Sequence, residues 1–165
     1  MKDTNKTIFK FSDNQTTLNW KVINDTVMGG VSFGGIKINA NNNGEFYGNV
    51  SIENNGGFSL LRYRFNKKNV SNYTKIILRI RADGKKYQFR IKDNISNNYS
   101  FVKIFSSGFN WELIKITLSE MEPVFRGRKL EMPNFSSEVI EEIAILIGNK
   151  KNESFKLEID KIYLQ

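Results

Sequence analysis

The sequence predicts an all-β protein, a two-sheet antiparallel β-sandwich with at most one or two short helical turns. Three observations carry that prediction. Apolar residues recur with a period of two in many short stretches: Phe46, Gly48, Val50 and Ile52 alternate with Tyr47, Asn49 and Ser51, and Phe155, Leu157 and Ile159 alternate with Lys156, Glu158 and Asp160. Asn43-Gly44 and Asp83-Gly84, pairs that favour tight turns, lie next to such stretches. Helix start signals are scarce, and many short strands in one chain indicate a sandwich.

In chain order, the alternation places strands at residues 8–11, 35–40, 46–52, 59–65, 76–81, 87–92, 99–104, 112–118, 143–147 and 155–159. Residues 20–35, WKVINDTVMGGVSFGG, hold four glycines. Within a regular element each glycine costs roughly 0.5–1 kcal/mol relative to alanine. The two Gly-Gly pairs therefore predict positive φ or a close approach between chains, in a shaped loop held between strands. If Asp83-Gly84 is a two-residue turn, Ile80 faces Tyr87, Leu78 faces Phe89 and Ile76 faces Ile91 across a hairpin. A serine followed by acids predicts one or two helical turns over residues 136–142. Pro123 and Pro133 bracket one loop, and no repeat or low-complexity linker is visible. Residues 1–165 read as one domain, long enough to bury roughly two thirds of the unfolded surface.

Cysteine and histidine are both absent. That removes disulfides, thiolate chemistry, Ser-His-Asp triads and histidine-ligated zinc or iron. The expectation is a protein that is not an enzyme and uses no cofactor and no metal. Asn41-Asn42-Asn43-Gly44-Glu45 is rich in oxygen but lacks the acid count of a dedicated calcium loop. The opening MKDTNKTIFKF lacks the apolar region of a signal peptide and reads as no mitochondrial presequence, and no apolar run approaches the roughly 20 residues that span a bilayer. A cytoplasmic location is expected.

Charge is concentrated. Residues 62–92 hold eleven Lys/Arg and one acid, Asp83, while the rest of the chain holds fourteen bases and sixteen acids. In the hairpin register, Lys75, Arg79, Arg81, Lys86, Arg90 and Lys92 share the face opposite the apolar one. Like charges directly opposite destabilise a hairpin, so this face needs acids from a neighbouring strand or loop, or an anionic partner. Aromatic side chains interleaved with the cations, as single-strand nucleic-acid binders use, are missing in this register. An acidic protein or an anionic small ligand fits better than nucleic acid.

The string WKVINDTVMGGVSFGG, then EFYGNVSIENNGGFSLLRYRF, then LRIRADGKKYQFRI resemble successive signatures of the complex I intermediate-associated protein 30 family. The similarity continues through Trp111, the VFRGRKL loop and the closing FKLEIDKIYL strand. This resemblance implies a galactose-binding-like jelly roll and a role in assembling respiratory complex I, by binding a partly built membrane arm. It implies no catalytic residues. Trp20, Asn24, Asp25, Met28, Gly29, Gly30 and Ser32 match the family's first loop, Asn54, Asn55, Gly56 and Gly57 its second, and Arg126 to Arg128 its third.

Two readings of these loops follow. Asp25 can pair with Arg126 or Arg128 as a structural clamp. Alternatively the loops form a recognition surface, with Arg126 and Arg128 taking carboxylates or hydroxyls and Trp20 as an apolar platform. The first functional class is a protein-binding assembly or chaperone-like factor, whose partner is an acidic protein or a membrane-complex intermediate. The second is a jelly-roll carbohydrate-binding module taking a small glycan, although Trp111 is expected in the core. An enzyme built on Asp25, Glu53 or lysines would need two carboxylates at catalytic separation.

Overall fold

The computed structural model describes residues 6–165, apart from the side chains of Val27 and Met28. Among these residues the chain forms β1 (Lys6–Lys10), β2 (Trp20–Asn24), β3 (Phe33–Ile38), β4 (Gly44–Val50), β5 (Ser59–Asn69), β6 (Lys75–Arg81), β7 (Lys86–Lys92), β8 (Ser100–Ser106), β9 (Glu112–Thr117), β10 (Glu122–Phe125), β11 (Arg128–Lys129), β12 (Val139–Ile147) and β13 (Glu153–Leu164). Helix is confined to α1 (Phe11–Asn14) and to 3-10 turns at Asp25–Met28, Glu53–Asn55 and Leu118–Glu120.

The strands pair antiparallel in two sheets. A seven-stranded sheet runs β11-β10-β8-β7-β12-β5-β2, and a six-stranded sheet runs β3-β4-β13-β6-β9 with β1 added on β13. The twelve-residue β13 pairs with β4 through its first half and with β1 through its last residues, while β6 follows its other edge. The expected sandwich is the observed one. Alternation turns Leu61, Phe89, Ile91, Ile143 and Ile145 of one sheet toward Phe46, Leu78, Ile80, Leu157 and Ile159 of the other, all buried. Each such side chain contributes roughly 1.5–3 kcal/mol through its removal from water.

Three expectations are corrected. Asp83-Gly84 does not close a hairpin, because β6 and β7 belong to different sheets. The segment between them crosses the sandwich edge and is held by Ala82 and Gly84 N–H groups donating to the Gly108 and Ser107 carbonyls. Ile76, Leu78 and Ile80 therefore meet Tyr87, Phe89 and Ile91 through the core. Period two decides which side of a strand faces inward, not which strand lies beside it.

Residues 136–142 are not helical. β12 already begins at Val139, whose partner is Asn69, and the Val70 N–H donates to the Glu138 carbonyl. The Ser137 hydroxyl, free of any capping role, donates to Asp93. β-branched Val139 and Ile140 suit the extended conformation better than a helix.

The turn at residues 39–43 takes its left-handed residue from Asn42, with φ at 61°, instead of from Gly44. Gly44 serves a different purpose: a Cβ there would overlap the Phe11 ring. α1 tucks that ring into a cluster with Phe9, Trp20 and Tyr63, in which the Phe9–Phe11 and Phe11–Trp20 centroids are 4.7 and 5.4 Å apart. Replacing Phe11 with alanine is expected to cost about 3–5 kcal/mol in urea unfolding, because the rigid strands around it cannot collapse into the cavity.

Candidate functional site

β2 and β3 are joined by residues 25–32, which fold back on a buried carboxylate. Asp25 accepts from the Ser32 N–H at 2.9 Å, from the Ser32 hydroxyl, and from the Gly57 and Phe58 N–H groups. The Ser32 hydroxyl oxygen in turn accepts from the Ser51 N–H at 2.9 Å. The glycines at Gly30 and Gly56 are required by this contact, since a Cβ at either would overlap the Asp25 carboxyl group. Burial pushes the Asp25 carboxyl up, but the hydrogen bonds from Ser32, Gly57 and Phe58 outweigh it and hold the group below the ordinary aspartate range.

Asp25 is thus a clamp, but not on the expected partner. It ties the first loop to the second, while Arg126 and Arg128 lie across the seven-stranded sheet with four strands between their hairpin and β2. Arg126 and Gly127 take φ values of 50° and 76° in a two-residue turn, and the Arg126 guanidinium lies over the Phe125 ring. Asn24 meets Ser59 through their side chains, and Asn54 and Asn55 are exposed with positive φ. The Met28 side chain lies outside the described residues. Trp20 is no platform: it is buried against Phe9, Phe11 and Tyr63, and its indole N–H has no acceptor among the described residues.

The six cations assigned to one face are divided between the two sheets. Lys75, Arg79 and Arg81 project from β6, where Arg79 donates to Asp160 at 2.9 Å and Arg81 to Glu158 at 2.8 Å. Both guanidiniums also lie over the Trp111 ring, at 4.8 and 5.3 Å from its centroid. Trp111 is therefore half-buried on the outside of the sandwich, not in the core. A bulge between Ile159 and Lys161 inserts Asp160 and brings it to Arg79. Arg79 and Arg81 are thus paired within the protein, while Lys75 makes no ion pair among the described residues.

Lys86, Arg90 and Lys92 project from β7 on the opposite outer face, and there the balance differs. Glu142 of β12, with its side chain only 4% exposed, receives the Arg64 Nε at 2.8 Å and has Arg62 Nε at 3.9 Å. Arg90 and Lys92 lie within electrostatic reach of the same carboxylate. Burial pulls the Lys92 ammonium below the ordinary lysine range; Glu142 pushes it back up, and Arg64, Arg90 and Arg62 pull it further down. Burial likewise lowers Arg62 and Arg90. Arg90 donates to Gln88 and Lys92 to the Asn97 carbonyl, both neutral acceptors. Four cations thus share one acid.

Arg62, Arg64 and Glu142 escaped sequence reasoning as site residues. The signal for the arginines was present: they alternate with Leu61, Tyr63 and Phe65, so the period that buries those three places Arg62 and Arg64 outside. Glu142 was hidden by the helical reading of its segment.

The family model for complex I intermediate-associated protein 30 matches residues 9–159. The chain belongs to that family. Among solved structures, a family 11 carbohydrate-binding module from Clostridium thermocellum, in complex with a β-1,3-1,4-mixed-linked tetrasaccharide, has a TM-score of 0.76 at 20% identity, over 97% of this chain and 94% of that one. The family 11 module of a cellulosomal cellulase of the same organism gives 0.74 at 18% identity, over 94% and 92%. An exo-β-agarase gives 0.60 at 12% identity, over 97% of this chain and 25% of the agarase. At these identities the likeness establishes the jelly-roll fold. Among the described residues, no helix is long and apolar enough to cross a membrane, and no group of three or more Asp or Glu is placed to hold a metal ion.

In this complex I intermediate-associated protein 30 domain, Asp25→Asn turns an amide N–H toward donors that need an acceptor. Hydrogen bonds to a charged group contribute roughly 1.5–3 kcal/mol each, and the variant is expected to lose about 3 kcal/mol in total at pH 7. The depressed carboxyl stabilises the wild type above the ordinary aspartate range, and that stability is lost as pH falls through the folded-state value. Urea titrations of both proteins should therefore converge as pH falls below the ordinary aspartate range.

Proposed function

We propose that this chain is a non-catalytic protein-binding domain of assembly-factor type, and that its docking surface is the outer face of the seven-stranded sheet. The observation that carries this reading is the cluster of Arg62, Arg64, Arg90 and Lys92 around the single buried Glu142. Arg62, Arg90 and Lys92 of this cluster are desolvated, and desolvated cations in excess of their acids are costly unless an outside anion completes them. Lys21 and Lys86 extend the same face. Its alternating outward positions on β2, β5, β12, β7 and β8 carry no aromatic side chain, which favours an acidic protein over a stacked sugar or base. Family membership supports a partner that is an intermediate of complex I assembly.

The test is crosslinked capture of partners from native extract by the wild type and by Arg64→Gln/Lys92→Gln. Arg64 is largely exposed and Lys92 half-buried, so the fold should be retained. Capture of acidic proteins is expected to fall about tenfold in the double variant and to weaken as salt rises. It should also weaken as pH rises through the depressed range of Lys92, because the deprotonated amine no longer attracts an anion. Equal capture by both proteins, with loss in Arg126→Gln/Arg128→Gln instead, would return recognition to the third loop.

A second reading, small-glycan binding, is favoured by one feature of the sandwich edge. Phe109, 73% exposed, stands over a cavity of about 500 Å³ lined also by Arg81, Asp83, Lys156 and Glu158, an aromatic face beside acids and a guanidinium. Calorimetric titration with a β-1,3-1,4-linked tetrasaccharide tests it. Binding that disappears in Phe109→Ala supports this site, and absence of heat at millimolar sugar removes it.

A further inference from the structure

The outer face of the seven-stranded sheet is striped across its strands. Strand pairing sets Ile23, Leu60, Leu146, Gln88 and Ile104 side by side in one row. The next row holds Lys21, Arg62, Ala144, Arg90 and Val102 and ends at Glu122, which is paired with Lys129, and the third holds Arg64, Glu142 and Lys92. Two residues along a strand separate successive rows by roughly 7 Å. A stripe that is apolar except at Gln88, with Ile104 60% exposed, therefore runs parallel to a mainly cationic one. Ala144, the shortest side chain of the middle row, is buried and leaves Arg62 and Arg90 standing on either side.

We propose that this face is built for an acidic amphipathic α-helix lying across the strands, an inference that rests on the protein-docking reading above. A segment laid on the face of a sheet, away from its edges, finds no backbone donors or acceptors beneath it. It must satisfy its own N–H and C=O groups, and a helix does so. The dimensions agree. From Ile23 to Ile104 the stripe crosses four strand spacings, roughly 19 Å, the length of about 13 helical residues. Arg62 and Arg90 are two spacings apart, roughly 10 Å, which matches carboxylates at positions i and i+7 of a helix, on one side and about 10.5 Å apart. Apolar residues on the adjoining flank of that helix then cover Leu60, Leu146 and Ile104, while Glu142 beneath holds the cations upright.

The probe is a lactam-locked helical peptide of about 14 residues, with glutamates at i and i+7 and leucines on the adjoining flank. It is compared by fluorescence anisotropy at 0.15 M salt with an unlocked scramble of the same composition and with a heparin oligosaccharide. Backbone amide shifts locate each ligand on the wild-type protein. The expected result is binding of the locked helix about tenfold tighter than the scramble, with shifts on β5, β12 and β7. Arg62→Gln and Ile104→Ser should each weaken it about fivefold, the second by removing an exposed apolar contact without touching a charge. Scramble or heparin binding this face as tightly as the locked helix overturns the helix and leaves an anion-docking face. Absence of all three ligands from the face overturns both readings, and loss in Arg62→Gln with no effect of Ile104→Ser overturns the amphipathic element.

Discussion

Apart from the short β10–β11 hairpin, the strands of this sandwich give one side to a single apolar layer, and that constraint determines where everything else can stand. Two sheets closing on Phe46, Leu78, Phe89, Ile145, Leu157 and their neighbours leave no room inside for a charged group. The charged residues of the strands are consequently pushed outward in register, two residues apart along each strand and side by side between strands. A sequence with many cations in adjacent strands thereby acquires a cationic face as a by-product of folding. In this chain the arginines of the two outer faces find their acids in different ways.

On the six-stranded sheet Arg79 and Arg81 find their acids within the protein. A bulge in β13 offers Asp160 to Arg79, Glu158 takes Arg81, and the Trp111 ring lies against both guanidiniums. On the seven-stranded sheet Glu142 alone stands among Arg62, Arg64, Arg90 and Lys92. On the one face Arg79 and Arg81 each meet a carboxylate directly, whereas on the other four cations gather around a single buried one. An excess of desolvated charge is costly unless something repays it, and this is the physical basis for the docking face proposed on the seven-stranded sheet.

The sandwich class was legible because alternation is a local signal: ten strands announced themselves through residues two apart. Strand neighbours were not, since β6 and β7 satisfy the same alternation whether they lie side by side or across the core. That one ambiguity scattered the expected basic face over two sheets. Asp25 was legible as a residue of consequence, held in a glycine-rich loop that the glycines Gly30 and Gly56 allow to close around it. Its partners were not, because the choice between the Gly57 and Phe58 amides and the arginines of a distant hairpin is made by strand order, which no motif encodes. The β2 strand at Trp20–Asn24 was masked by the glycines that follow it, and the short β10 and β11 by the loop reading of the Arg-Gly-Arg motif.

The β10–β11 hairpin has a consequence for the life of the protein in a crowded solution. A sheet that ends in a long, flat strand offers unsatisfied amides and carbonyls to any similar strand nearby, and self-association begins there. Here the seven-stranded sheet ends in only two residues, Arg128 and Lys129, both charged and exposed, beyond a turn whose left-handed Arg126 and Gly127 bend the chain away. A copy of this chain approaching that border meets a strand too short to pair with and too charged to stack on. The same basic loop that the sequence marks as a signature therefore acts as a terminus for the sheet, keeping a protein with a wide open face from adding strands of its own kind at that border.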